Sequence, residues 1–462
     1  MKKINKITAL ILVCITALVP LAACTGDTVT TDAVTTAPQT DAVTTGVTTE
    51  DEKTETETVP VTETETETET ETETETEAPK EKTTPVENIL FWTFDDGFAG
   101  KVIGVYCETE PGALVTLRDL SGAVVLSEHA LDRYFYGRFI PPDDQPTHTV
   151  YFYAQAEGKA TSDPSRPVTL KYSEAVGSNA MIAHDSHVFL NWYRDFYNGN
   201  AQIQGSTPEE QRAYMENVKN FMHAQLDKIR EATGKKTKVI ICICTNPATI
   251  YPEVQYKEEE GGWGYYEQPT STTQMVEFMK DDDDIYVLDL RPLLQRNKDR
   301  LLFMQADSHW TMIAAYYGYY LAAQKVQKDF PKTKMYNIDR DFDIDIGPTG
   351  GDLLNFMGCA GTGVKAATAT VFWKSNSMQA PKDAPTAYVM GDSYYGAIKD
   401  YLELMLSEVY VNNPASNPPL YDYTLEDLQT RQPDYLFYVW KERNIDLTLA
   451  MFIGAVNAAN IK

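Results

Sequence analysis

Three rhythms of apolar and polar residues divide the chain. Between 87 and 172 the apolar positions come in short alternating runs: KVIGVYCET (101–109), ALVTLRD (113–119), AVVLSE (123–128), THTVYFYAQAE (147–157) and RPVTLKYS (166–173). A period of two predicts strands with one buried face, and Pro111-Gly112, Ser121-Gly122 and Gly158 supply the turns between them. From 173 to 462 helical stretches alternate with continuous apolar runs. Thr207 starts a helix as N-cap, with Pro208 at the first helical position and Glu210 completing a capping box. Tyr214, Val218, Phe221, Met222, Leu226 and Ile229 then share a face, and Gly234 ends it. KVIICIC (238–244), IYVLDL (285–290), TAYVM (386–390) and YLFYVW (435–440) read as buried strands. Helices are predicted over about 311–328 and 394–409. This alternation specifies a parallel sheet with helices on both faces.

The first 86 residues have a third rhythm. Lys2, Lys3 and Lys6 precede an apolar run from Ile7 to Ala23, the form of an export signal. Leu21-Ala22-Ala23-Cys24 resembles the bacterial lipoprotein box, which implies cleavage after residue 23 and lipidation of Cys24. No second run is long enough to span a bilayer, so the mature chain is expected to be anchored by lipid on the extracellular face of the cytoplasmic membrane. Residues 25–86 are mostly Thr, Glu, Pro and Ala, including eight Thr-Glu pairs between Thr62 and Glu77. With so little apolar surface the segment is expected to be a disordered spacer. Four parts follow: a signal over 1–23, the lipidated cysteine and linker over 24–86, a β-sandwich over 87–172 and an α/β domain over 173–462. The sandwich resembles immunoglobulin-like surface modules. It is expected to fold independently as a spacer, with Tyr134 and Tyr136 as exposed aromatics available to a glycan.

Charge narrows the partners. Of the net −27, the 17 acids and three lysines of residues 25–86 account for −14, and residues 87–462 still carry −16. That acidity argues against nucleic acid or an anionic membrane surface. Cys107, Cys242, Cys244 and Cys359 show no metal-ligand spacing and are expected to be buried apolar side chains. DRDFDIDIG (339–347) alternates acids with apolar residues, but Ile346 stands where a calcium loop starting at Asp341 needs glycine. A polar-out strand is the better reading, and neither metal nor cofactor is expected.

Three loops leave the carboxyl ends of strands, where open α/β sheets bind ligands. In TAYVMGDSYYG (386–396), Ser393 follows a strand and opens a helix, with Gly391 permitting the turn. Tyr395 replaces the second glycine of a G-x-S-x-G elbow. In ADSHWT (306–311), Asp307 is placed to fix one nitrogen of His309, leaving the other to take a serine proton, while Trp310 shields the pair. In CTNPATIYPE (244–253), Asn246 offers an amide to an oxyanion. Tyr394, beside the serine, is a further candidate for substrate contact. Each loop also has a structural reading, as a helix cap or a turn.

Taken in order, TNPATIYPE, DSHWT, GGDLL, GDSY and YVWKERNID resemble the SGNH-hydrolase-like domain of the alginate O-acetyltransferase family, over about 280 residues from Met181. The resemblance implies an SGNH or flavodoxin-like three-layer fold, with Asp307 and His309 as acid and base and Ser393 as nucleophile. It also implies O-acetylation of an extracellular polysaccharide, with the acyl group delivered by a membrane-bound O-acyltransferase. The loop after KVIICIC lacks the family's lysine. A carbohydrate esterase using the same triad, and a non-catalytic glycan-binding lipoprotein, are the alternatives the residues leave open.

Overall fold

The structure is a computed structural model that describes residues 79–445 except 98, 143–144, 175, 178, 191–204, 206, 258–269 and 413–424. The signal, Cys24 and most of the Thr/Glu linker lie outside the described residues.

Strands β1 (Glu87–Asp95), β2 (Lys101–Glu108), β3 (Leu114–Asp119), β4 (Val124–His129), β5 (Tyr134–Phe139), β6 (Thr147–Gln155), β7 (Val168–Lys171) and β8 (Val176–Gly177) form two four-stranded sheets. Their orders are β5-β2-β1-β8 and β4-β3-β6-β7, with every pair antiparallel except β1 with β8. Gly112, Gly122 and Gly158 all have positive φ, which is why glycine punctuates these turns. Ile103, Val105, Cys107 and Phe135 point into the core between the sheets. Val102, Tyr106, Tyr134 and Tyr136 face the other way, into the large core of the α/β part. One sheet is thus covered on both faces, so β2 is buried almost continuously.

Two expectations change here. Tyr134 and Tyr136 are 3% and 0% exposed, so they offer nothing to a glycan. Nor does the chain part into separate bodies near 172. The described residues on both sides of 172 belong to one compact unit, and β8 joins the first sheet beyond that position.

The α/β part is built on a five-stranded parallel sheet. Its strands are β11 (Lys238–Cys244), β12 (Ile285–Leu288), β15 (Thr386–Gly391), β16 (Glu408–Asn412) and β17 (Tyr435–Lys441), in the order β12-β11-β17-β15-β16. A hairpin between β9 (Ala180–Ile182) and β10 (Val188–Leu190) precedes it. Another, between β13 (Phe342–Thr349) and β14 (Ala366–Trp373), is inserted within it.

Helix α1 (Pro208–Thr233) shows the expected capping box, and Gly234 ends it in the left-handed conformation. With α2 (Ser271–Met279) and α6 (Leu425–Arg431) it covers one face of the sheet, against Val239, Ile241, Leu436 and Trp440. On the other face, α3 (Met312–Asp329) and α5 (Tyr395–Leu402) pack on Ile240, Cys242, Phe437 and Val439. A short helix, α4 (Asp352–Phe356), follows the β13 strand. The helix expected to run to about 409 stops at Leu402. Its last residues, with the β-branched Val409 and Val411, form edge strand β16. The four cysteines are free and buried. Asp343 and Asp345 lie exposed on β13, whereas Asp339 and Asp341 belong to a helical turn before it.

Candidate active site

The sheet ends its central strands at Lys441 and Gly391, and the three loops converge on that carboxyl edge. Gly391 is tied to closeness rather than to an unusual φ. A Cβ there would come within 2.9 Å of Tyr395 Cβ and 3.3 Å of Val439 Cβ. The chain turns at Asp392, whose buried carboxylate accepts the amides of Tyr394 (3.0 Å) and Lys441 (2.9 Å). Burial raises the Asp392 pKa against the pull of those two hydrogen bonds. The turn leaves Ser393 exposed at the tip. The Ser393 amide N–H meets no acceptor among the described residues.

His309 Nε2 lies 2.7 Å from Ser393 Oγ, and His309 Nδ1 lies 2.7 Å from Asp307 Oδ1. The Asp307 carboxylate also accepts the His309 amide at 2.8 Å and the Asp352 amide at 2.9 Å. Burial pushes the Asp307 carboxyl up, but the hydrogen bond and charge of His309, with the two amides, outweigh it and hold the pKa low. An acid fixed in its ionised form beside Nδ1 selects the tautomer that leaves Nε2 open to the serine proton.

The loop that delivers this pair is itself strained. Ala306 has φ 53°, a left-handed value costly for a side-chain-bearing residue. Gly351 touches it so closely that a Cβ would lie 1.9 Å from Ala306 O. Leu353 N–H donates to that same oxygen at 3.1 Å. Gly350-Gly351-Asp352 thus holds the acid loop from outside the sheet.

The other expected residues are close by in different roles. Trp310 is buried, and its indole N–H donates to Tyr394 O at 2.9 Å, which ties the His309 loop to the Ser393 turn. Tyr394 is buried under the imidazole, with ring centroids 4.9 Å apart, and its hydroxyl donates to Ser308 O. It is a platform for His309 rather than an exposed substrate contact. Asn246 departs from expectation. It is 0% exposed, its amide N–H donates to the buried Glu442 carboxylate at 2.8 Å, and its side chain has no hydrogen bond among the described residues. Glu442 also takes the hydroxyls of Thr249 and Thr272, fixing the buried loop that carries Asn246.

Three neighbours escaped the sequence reading. Asp352 accepts both the amide (2.7 Å) and the hydroxyl (2.6 Å) of Ser308, and its Oδ2 is 3.9 Å from His309 Nδ1. Arg443 donates to Tyr394 Oη at 2.9 Å and to Ser308 Oγ at 3.3 Å. Lys441 stands at the end of the strand beside the serine turn. Paired glycines before Asp352, and the charged KER run closing a buried strand, were the available signals. Asp307, His309 and Asp352 also form an acidic grouping of metal-binding size. Their oxygens and Nδ1 are already engaged with one another and with Ser308, so the donor set does not fit a resident ion.

Residues 223–412 match the family described as the SGNH hydrolase-like domain, acetyltransferase AlgX. No curated protein matches the chain. Among solved structures, the chain is similar to the O-acetyltransferase domain of Pseudomonas putida AlgJ at 16% identity, TM-score 0.38, covering 60% of this chain and 99% of that one. Pseudomonas aeruginosa AlgX matches at 14% identity, TM-score 0.39, over 57% of this chain and 62% of that one. Bacillus cereus PatB1 matches at 11% identity, TM-score 0.35, over 50% of this chain and 91% of that one. The stretch that matches the SGNH hydrolase-like domain model, 223–412, contains Asp307, His309 and Ser393.

Proposed function

We propose that this chain O-acetylates an extracellular polysaccharide through an acetyl-serine at Ser393. The observation that carries the reading is the unbroken series Asp307–His309–Ser393, with 2.7 Å at each side-chain step and the serine alone exposed at the tip. Ser393 Oγ attacks the acyl carbon while His309 Nε2 takes its proton. The leaving group receives that proton as the acetyl-serine forms. A sugar hydroxyl then loses its proton to His309 and attacks the ester; the bond from the acyl carbon to Ser393 Oγ breaks, Ser393 Oγ takes the proton back from His309, and the sugar leaves acetylated. Asp307 keeps the imidazole oriented and stabilises its charged form.

The acyl donor in this reading is a membrane-bound O-acyltransferase, which needs the site held near a membrane. Cys24 as a lipidated first residue meets that need. Among the described residues no helix is long and apolar enough to cross a membrane. Cys24→Ala is expected to move the protein from the membrane fraction to the soluble one. Retention of that variant with membranes would remove the anchor from the proposal.

The decisive experiment is mass spectrometry of the full chain after exposure to an activated acetyl ester. An acetyl group on the peptide containing Ser393, absent in Ser393→Ala, and its transfer to added oligosaccharide in preference to water, are the expected results. An acetyl-enzyme that only hydrolyses, whatever the sugar, would make the protein an esterase. No acetyl-enzyme at all would leave a binding protein.

A further inference from the structure

Acyl transfer at Ser393 needs donors for the oxygen that becomes negative when the serine adds to the carbonyl. The free amide of Ser393 is one. The side-chain amide expected to be another, Asn246, is fully buried in a loop fixed by Glu442. The second donor has to come from a different element, and the register of the sheet identifies it.

Gly391 of β15 pairs with Val439 of β17. Two residues beyond that pair come Ser393, on the turn that follows β15, and Lys441, the last residue of β17. The two ends are joined, because the Lys441 amide donates to the Asp392 carboxylate at 2.9 Å. Lys441 shares its face of the sheet with Phe437 and Val439, the face against which α3 packs, the helix that begins three residues after His309. Its side chain therefore leaves the carboxyl edge on the α3 side of the sheet, where Asp352, 3.9 Å from His309 Nδ1, is among the charges that act on it. Lys441 is only 9% exposed, and its ammonium has no hydrogen bond or ion pair among the described residues.

We propose that Lys441 is the second donor to the acyl oxyanion at Ser393. The inference rests on Ser393 being the nucleophile. When Ser393 Oγ bonds to the acyl carbon, its proton passes to His309 Nε2 and the carbonyl π pair moves onto oxygen. That oxygen is then held between the Ser393 N–H and the Lys441 ammonium. Collapse returns the pair to the C–O bond and expels the leaving group, which takes the proton from His309. Burial, and after it the Arg443 charge, hold the Lys441 pKa below its usual value, with Asp392 and Asp352 opposing. A cation so placed gains from an added negative charge. The groups facing it are thus Arg443, Asp392 and Asp352. A site for an acceptor carboxylate is the weaker use of this lysine, because it lies below the cleft surface of a strongly acidic protein.

The test is pre-steady-state acetylation of the full chain by p-nitrophenyl acetate, a neutral probe. Lys441→Met is expected to slow acetyl-enzyme formation by about 10²–10³-fold, with KM and melting temperature little changed. Lys441→Arg should lose less, and propylammonium should restore part of the rate to Lys441→Ala. Wild-type acetylation by a folded Lys441→Met overturns the inference. So does a loss that merely tracks the unfolded fraction of all three variants, which would make Lys441 a counter-ion for Asp392. Unchanged acetylation combined with a raised KM for a uronate-bearing acceptor also overturns it, in favour of acceptor binding. Ser393→Ala run in parallel separates the two readings. If that variant acetylates like wild type, the serine assignment itself has failed, and the inference with it.

Discussion

At the residue scale the site is a set of hydrogen bonds that depend on one another. His309 reaches Ser393 only while Asp307 holds its other nitrogen, and Asp307 is itself held by the Asp352 amide. Groups coupled in this way should fail together. Ser393→Ala is expected to abolish the acetyl-enzyme, and His309→Ala to slow its formation nearly as far. Asp307→Asn should cost about 10⁴-fold, the loss known for the serine-protease case, because the amide favours the wrong tautomer. The double and triple variants should be hardly slower than the worst single one. Losses that multiply across the three positions, measured as rates of acetyl-ester turnover, would mean that they do not act as a unit.

Elements decide whether those residues meet. The acid loop depends on Gly351 because its neighbour's carbonyl occupies the space a methyl group needs. Gly351→Ala must displace the 306–307 backbone, and overpacking of this kind costs about 1–3 kcal/mol. Acetylation should fall further than the melting temperature suggests, since the displaced backbone carries Asp307. An equal fall in both would reduce Gly351 to a packing residue. On the far face, Asp282 links α1 to the turn before β12, receiving His223 at 2.9 Å and Lys219 at 3.0 Å. Burial pushes its pKa up, but His223, the Asp284 amide and Lys219 pull it down to about 2. A carboxyl lowered on folding stabilises the protein fully above its unfolded value near 3.8, and the contribution disappears as pH falls through about 2. Asp282→Asn should therefore destabilise by roughly 1–2 kcal/mol at pH 7 and by little near pH 2. Chemical denaturation at both pH values checks the sign.

Elements are also where the sequence was most and least legible. The α1 helix could be read from Thr207 to Gly234 because capping and periodicity are local. Ser393, His309 and Asp307 were legible because each stood in a short run at a strand end. β5 and the burial of its tyrosines were not, because the surface that covers them comes from residues more than a hundred positions away. Lys441 and Arg443 were hidden for the same reason. A charged run after a buried strand reads as solvent-facing until the neighbouring strand's register is known.

At the scale of the whole molecule, the sandwich supports the catalytic edge. Gln305, two residues before Asp307, donates to Tyr134 O at 2.9 Å and Ser186 O at 3.2 Å, and Tyr136 donates to Lys365 O. A buried ion pair, Arg138 with Asp96 at 2.8 Å, lies in the sandwich, and the Arg138 guanidinium stands 3.6 Å from the Tyr256 ring centroid. Glu128 of the sandwich accepts from Tyr256 Oη at 3.0 Å and pairs with His184 Nδ1 at 2.9 Å. Removing residues up to 172 would expose the apolar surface under Phe94, Tyr106 and Tyr136 and leave Gln305 without its Tyr134 partner. Each buried ring alone is worth about 1.5–3 kcal/mol of apolar burial, and ordinary domains have only about 5–15 kcal/mol in total. A fragment of residues 173–462 is therefore expected to be insoluble, or soluble with acetyl-ester turnover at least about tenfold below the full chain because the Asp307 loop has lost its support. Tyr136→Phe in the full chain isolates one tie, with an expected loss of about 0.5–1.5 kcal/mol and little change in turnover. A soluble fragment that acetylates Ser393 at the full-chain rate would return the sandwich to the role of a spacer.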